Sequence, residues 1–252
     1  MSNSSLVSYT KISPNRTSPR NHAIDTISIH CAVGQFTAKR LLNLSNFVTP
    51  DPKRGSSCNY AIGYDGSIGM GVEEKDRSWC TSNSANDHRA ITIEVASDTK
   101  HPYEVTDDAY KALIDLLVDI CKRNNIKELK WKADKSLIDK PDKQNMTVHR
   151  WFANKACPGD YLYSRHGQIA SEVNAQLGVR PKDTFKAYKV QIDITNLNIR
   201  KGPGTNYAKT GRYTGKGVFT IVKESKGTGS TKGWGKLKSG AGWVSLDYTK
   251  KI

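Results

Sequence analysis

Three residues able to bind a soft metal stand out by type and spacing. His30 closes a β-branched run (ISIH, 27–30), and His149 and Cys157 lie with seven residues between them in TVHRWFANKACPGD (147–160). Imidazole and thiolate together suit zinc, and three protein ligands leave a fourth position for water, the pattern of a catalytic rather than a structural site. The same residues also read as two hydrogen-bonded structural histidines and a buried thiol, and spacing alone does not choose. Glu94 sits inside an apolar strand pattern, AITIEV (90–95), where an inward carboxylate is costly unless it is paired or working. Lys155, two residues before Cys157, reads either as a surface charge or as a cation facing the same site. His22, His88, His101 and His166 lack metal spacing and read as surface or structural, and Cys31 is expected on the strand face opposite His30. No phosphate-binding loop or dinucleotide fingerprint occurs.

The elements that must position these residues alternate short apolar runs with amphipathic helical patterns, an α/β signature. Ile24 to His30 and Ala90 to Val95 read as strands, and Asn59 to Tyr64 and Ser67 to Gly71 as a hairpin about Asp65-Gly66. Thr106 caps a helix that buries Ala109, Leu113, Leu116, Leu117 and Ile120 and stops at Asn124-Asn125. A second long helix is expected from Tyr161 to Leu177 with Gly178 as its stop, and a shorter one from Thr37 to Ser45. A charged stretch with one Pro and no periodicity places a linker at 179–187, dividing a domain at 1–178 from one at 188–252. The latter is all β in character: Val190 to Ile199 alternates, GPG (202–204) turns, and Val218 to Val222, Gly233 to Leu237 and Gly242 to Leu246 read as strands of a small barrel.

Composition fits this division. The 252 residues carry a formal net charge of +15, of which residues 185–252 contribute 14 basic and 3 acidic groups, net +11. Such a tail attracts polyanions. All six His and all five Cys precede residue 167, whereas 11 of the 20 Gly follow residue 201. Five scattered Cys do not suggest a disulfide framework. No apolar run is long enough to span a bilayer, so no membrane insertion is expected. The first 21 residues lack the apolar segment of a signal peptide, so synthesis in the cytoplasm is expected, with any work outside requiring another route of release.

Four segments carry a resemblance: ISIHCAVG (27–34), NYAIGYDGSI (59–68), AITIEVA (90–96) and HRWFANKACPG (149–159), in that order and with a long helix between the last two. In these, residues 1–178 resemble the zinc-dependent N-acetylmuramoyl-L-alanine amidases of the type 2 amidase family, whose fold is shared with the peptidoglycan recognition proteins. The resemblance implies a central mixed sheet flanked by helices. It implies one catalytic zinc held by His30, His149 and Cys157, with Glu94 moving protons and Lys155 facing the reacting carbonyl. Two positions depart from the pattern. Cys58 stands where many relatives carry a catalytic Tyr; Tyr60, two residues on, shares that face if the strand is regular and is read as a substrate contact rather than a catalytic residue, and Trp79-Cys80 replaces a Trp-His pair, leaving Trp79 as a groove residue.

Residues 188–252 resemble bacterial SH3 domains that anchor wall hydrolases, on TNLNIRKGPGTNYAKTG (195–211) and GWGKLKSGAGWVSLDYTKK (233–251). The resemblance implies a small SH3-like barrel. Exposed Tyr207, Trp234, Trp243 or Tyr248 would stack on sugar or peptide while the basic charge meets anionic wall polymers; a solvated basic face without a ligand fits the same residues. The expected partner is bacterial peptidoglycan and the expected activity cleavage of the bond between N-acetylmuramic acid and L-alanine. The combination looks like a phage endolysin that reaches the wall through a holin, or a bacterial autolysin released by another route. The rival reading is a recognition protein that binds walls without cutting them. A nucleic-acid partner is not expected, because no recognition-helix or RNA-binding signature accompanies the charge.

Overall fold

The structure, a computed structural model, describes residues 2–179 and 185–252. It divides into two compact units, Met1–Arg180 and Pro181–Ile252. Most of the expected linker, residues 180–184, lies outside the described residues. No helix of the described residues is long and apolar enough to cross a membrane.

The first unit runs β1 (Tyr9–Thr10), β2 (Arg16–Thr17), β3 (Thr26–Cys31), α1 (Ala38–Leu42), α2 (Ser45–Val48), β4 (Tyr60–Ile62), β5 (Ile68–Met70), β6 (Arg77–Ser78), α3 (Ser84–Arg89), β7 (Ala90–Val95), α4 (Asp107–Arg123), β8 (Met146–Thr147) and α5 (Gly159–Gln176). Six strands form a mixed sheet in the order β1-β5-β4-β7-β3-β8, and β2 pairs β6 apart from it. The fold class is therefore the α/β arrangement expected from the alternating apolar and amphipathic runs.

The central pair β3 and β7 is parallel, with Ile27 opposite Ile91, Ile29 opposite Ile93 and His30 opposite Glu94. Because side chains alternate across a strand, the isoleucines share one face and Ser28, His30, Thr92 and Glu94 share the other. The isoleucine face packs with Leu113, Leu117 and Ile120 of α4 and Leu162, Ile169 and Val173 of α5. Burying each such side chain contributes about 1.5–3 kcal/mol. The polar face is flanked by a smaller cluster of Ala38, Leu41, Leu42, Phe47, Cys58, Ala61 and Cys80.

Helix α4 starts where the capping pattern placed it: the Ala109 amide donates to Thr106 Oγ1 at 3.2 Å, and Asn124 ends the helix. Helix α5 starts two residues before the expected Tyr161. Gly159 stands there at φ +77°, and a Cβ would come 2.9 Å from the Tyr103 Cβ, so only glycine lets the chain turn from Cys157 into the helix. The expected helix at 37–45 is broken into α1 and α2. β1, β2 and β8 are two-residue strands without a periodic signal, and the sequence did not mark them.

A buried cation ties the approach to β7. Arg20 donates from Nε to the Glu74 carbonyl at 2.7 Å and from Nη2 to that of Asp76 at 2.9 Å. Its Nη1 reaches the carbonyls of His88 at 2.8 Å and Ala90 at 3.1 Å.

The second unit is all β: β9 (Tyr188–Ile192), β10 (Asn198–Arg200), β11 (Lys209–Tyr213), β12 (Gly217–Ser225), β13 (Trp234–Leu237), β14 (Trp243–Ser245) and β15 (Lys250–Lys251). They form one antiparallel sheet in the order β11-β10-β14-β13-β12-β9-β15. Val190, Ile192, Leu197, Ile199, Ile221, Leu237, Val244 and Leu246 make its core. The expected strand at 190–199 is two strands, because β9 pairs with β12 and β15 whereas β10 pairs with β11 and β14.

One expected surface aromatic is not at the surface. Trp234 is only 3 % exposed: Gly227 lies so close that a Cβ there would stand 3.1 Å from the indole Cδ1, and the Arg200 guanidinium lies 5.9 Å from the ring centre. Trp234 is a packing residue and is unavailable for stacking on a ligand. Tyr207 and Tyr248 are 45 % and 58 % exposed, and Trp243 is half-buried.

Candidate metal centre

At the C-terminal ends of β3 and β7 the polar face of the sheet meets the segment 149–157. His30 is fully buried, and its Nδ1 lies 3.3 Å from Cys157 Sγ and 3.8 Å from Glu94 Oε1. The rings of His30 and His149 stand 5.2 Å apart between centres. One donor atom from each of His30, His149 and Cys157 falls within 4.8 Å of the others.

The Nε2 of each imidazole meets a serine hydroxyl. Ser28 Oγ lies 3.2 Å from His30 Nε2, and Ser82 Oγ lies 3.0 Å from His149 Nε2. This is the outer arrangement that fixes tautomer and ring orientation in histidine metal sites. Ser28 follows from β-alternation, being two residues before His30 on the same face. Ser82 does not: it sits in a loop at φ +61°, and no feature of TSNS (81–84) marks it in the sequence.

The electrostatics suit a cation. Burial pushes His30 down to about 3, and burial together with Lys155 lowers His149, so both rings are neutral and able to donate a lone pair. Burial pushes Glu94 up to about 7, against a hydrogen bond from Cys80 that lowers it. The Cys80 thiol reaches Glu94 Oε1 at 3.7 Å, while Glu94 Oε2 is buried with no hydrogen-bond partner among the described residues. A hydrogen bond with Cys31, reinforced by burial, raises the Cys157 thiol; the same bond lowers Cys31. A bound dication would reverse the preference at Cys157. Two neutral imidazoles and a thiol fit a zinc ion: the donor types are those zinc takes, the mutual distances allow one ion to touch all three, and the unpartnered Glu94 oxygen lies beside them.

Over this cluster opens a groove of roughly 850 Å³, whose walls include Trp79, Arg77, Lys53, Arg54 and Lys155. Lys155 is exposed at its rim. Trp79 lies on the wall, held by its Nε1 donating to Thr17 Oγ1 at 3.0 Å. The basic pair Lys53-Arg54 carried no signal beyond charge.

One expectation about position is corrected. Tyr60 does not reach the groove: Ala61 is the register partner of Glu94, so its neighbour Tyr60 points to the opposite face. There its hydroxyl donates to Glu74 Oε1 at 2.6 Å and accepts from the Ser4 amide at 2.9 Å. Cys31 is a buried thiol packed with the isoleucine core, as expected, and at the end of β3 its sulfur meets that of Cys157 and borders the groove. Of the other histidines, His166 is buried with Nδ1 on the Leu162 carbonyl at 2.7 Å, and His88 Nδ1 accepts from the Asn21 amide.

Comparison with known proteins adds a family. A family model described as N-acetylmuramoyl-L-alanine amidase matches residues 20–160. No curated protein sequence matches the chain. Similar solved structures include PlyL, at 16% identity over 66% of this chain and 95% of that one, with a TM-score of 0.46. The endolysin N-acetylmuramoyl-L-alanine amidase LysCS from Clostridium intestinale URNW is 16% identical over 69% and 98%, with a TM-score of 0.43. Drosophila peptidoglycan recognition protein SA is 17% identical over 63% and 85%, with a TM-score of 0.47.

Proposed function

Since the chain belongs to the N-acetylmuramoyl-L-alanine amidase family, whose model spans more than half of it, we propose that its first unit hydrolyses the amide between N-acetylmuramic acid and L-alanine of peptidoglycan at this groove with one zinc ion. The observation that carries the reading is the pairing of Glu94 with the His30, His149 and Cys157 cluster on one groove floor.

His30, His149 and Cys157 would hold the ion, which when bound supplies a lowered water pKa and polarises the scissile carbonyl. Glu94 moves the proton: its unpartnered Oε2 accepts from the attacking water and returns the proton to the nitrogen of the leaving L-alanine. Burial helps, since a carboxyl held up to about 7 is matched to proton transfer near neutrality. Lys155 at the rim offers its ammonium to the developing oxyanion. Ser28 and Ser82 hold the two imidazoles in register, and the groove walls around Trp79 orient the sugar and peptide.

The second unit serves as the wall anchor in this reading, of the bacterial SH3 kind. Its support is the net charge of +11 over residues 185–252 together with exposed Tyr207 and Tyr248. Anionic wall polymers would be drawn by a screened attraction.

Digestion of purified Gram-positive walls, with chelator and with zinc restored, tests the whole. New N-terminal L-alanine without new reducing sugars, lost on chelation and regained with zinc, is the expected result. New ends elsewhere would change the bond, and wall binding without new ends would replace hydrolysis by recognition.

A further inference from the structure

His30 belongs to two ligand sets. Besides the set with His149 and Cys157, its ring nitrogen, Cys80 Sγ and a Glu94 carboxylate oxygen all lie within 4.8 Å of one another. The Cys80 sulfur stands 3.7 Å from Glu94 Oε1, and His30 Nδ1 stands 3.8 Å from the same oxygen. A zinc-type ion bound tetrahedrally at ordinary Zn–S and Zn–O lengths sets those two donors about 3.5 Å apart, close to the spacing already present. Cys80 is 9 % exposed and borders the groove beside Glu94. Glu94 Oε2, buried and without a partner among the described residues, offers a further donor.

We propose that Cys80 and Glu94 form a second soft-metal site beside the first, sharing His30 when the first is empty. When the first ion holds the His30 nitrogen, two protein donors remain, the Cys80 thiolate and the Glu94 carboxylate, so the second site is weaker and fills only with metal in excess. Binding releases the Cys80 proton to solvent and forms one metal–sulfur bond. A thiolate donor selects zinc or cadmium over magnesium or calcium. Occupancy ties up the Glu94 oxygens, so excess zinc slows turnover. That kinetic consequence rests on the hydrolysis proposed above, whereas the site itself does not.

The test is a cadmium titration of the metal-free full chain, followed by sulfur-to-cadmium charge-transfer absorbance. The expected result is two steps of one equivalent each. Cys80→Ser removes the second step and keeps the first, Glu94→Gln weakens the second at least tenfold, and Cys31→Ser keeps both. A single step in the native chain, or a second step that survives Cys80→Ser, overturns the site. If Cys80→Ser fails to fold by circular dichroism, Glu94→Gln decides alone, and an unshifted second step sinks the idea. In wall digestion, the ratio of rates at ten and at one equivalent of zinc should fall well below one for the native chain and return to one for Cys80→Ser. A chain that cuts no wall but shows both steps would remove the hydrolase reading and leave the metal site. A chain that cuts walls and shows one step would do the reverse.

Discussion

His30 and Glu94 face each other as register partners on the parallel strands β3 and β7, with Nδ1 and Oε1 3.8 Å apart. Backbone pairing thus fixes a candidate ligand and a candidate proton carrier on one rigid surface. Glu94→Gln keeps that register and the three-ligand set but cannot take a proton. The expected outcome is undiminished zinc content by metal analysis with turnover lower by on the order of 10²–10⁴-fold. Full turnover in Glu94→Gln would remove the residue from proton transfer.

Ser82→Ala strips His149 of its Nε2 partner. Zinc affinity measured by competition with a chromogenic chelator should fall by roughly 10–100-fold, and saturating zinc should restore most of the rate. Unchanged affinity would assign the hydroxyl no role in holding the ring.

Tyr60→Phe tests the reassignment of that residue to the far face. Losing the hydroxyl leaves buried Glu74 and the Ser4 amide each short of a partner, which should cost about 1–3 kcal/mol in urea unfolding. The hydrolytic rate on soluble muropeptide should not change.

His166 gives a pH dependence whose sign is fixed. Burial pushes it down to about 4, below the roughly 6.5 of an unfolded histidine. The folded state therefore binds fewer protons between those values. Its contribution is fully present above about 6.5 and is lost as pH falls toward 4, by up to roughly 3 kcal/mol. His166→Phe, which keeps an aromatic ring against Trp131, should flatten the urea midpoint between pH 6.5 and 4.5 relative to the native chain. Parallel profiles would show that other groups carry the acid sensitivity.

In the second unit, Trp234 and Tyr248 should separate folding from binding. Trp234→Ala should lower the stability of that unit by about 3–5 kcal/mol. Tyr248→Ala should leave its thermal midpoint within a degree or two yet weaken sedimentation with purified walls, more so as salt rises. Equal wall binding by Tyr248→Ala and the native chain would move the contact elsewhere.

The residues best read from sequence were those carried by strong periodicity. β-branched runs marked β3 and β7, and the Thr106 cap with its leucine spacing marked α4. The meeting of His30, His149 and Cys157 was suggested by residue type and by the family resemblance, since nothing in spacing brings position 30 to position 157; sheet register and the Gly159 turn do that. What stayed hidden were contacts made by loops. Ser82 reaches His149 from an irregular segment, the Cys31 thiol meets that of Cys157 at the end of β3, and Trp234 is packed under the loop at Gly227, which no periodicity marks. Tyr60 failed as a groove residue because the bend at Asn59 breaks the alternation that would have given it the face of Cys58: Cys58 packs with Ala61 and Cys80, Tyr60 with the isoleucines.

Arg20 grips carbonyls at both ends of the stretch from Glu74 to Ala90, which turns that stretch into a loop cinched at its neck. Trp79, Cys80 and Ser82 all hang within it. The entropy lost in bringing the ends of such a loop together is spent at the neck during folding, by a planar group whose forked donors lysine cannot imitate. The groove wall therefore meets its ligand already shaped, and a side chain of the segment leading into β3 governs how little that wall must reorganise.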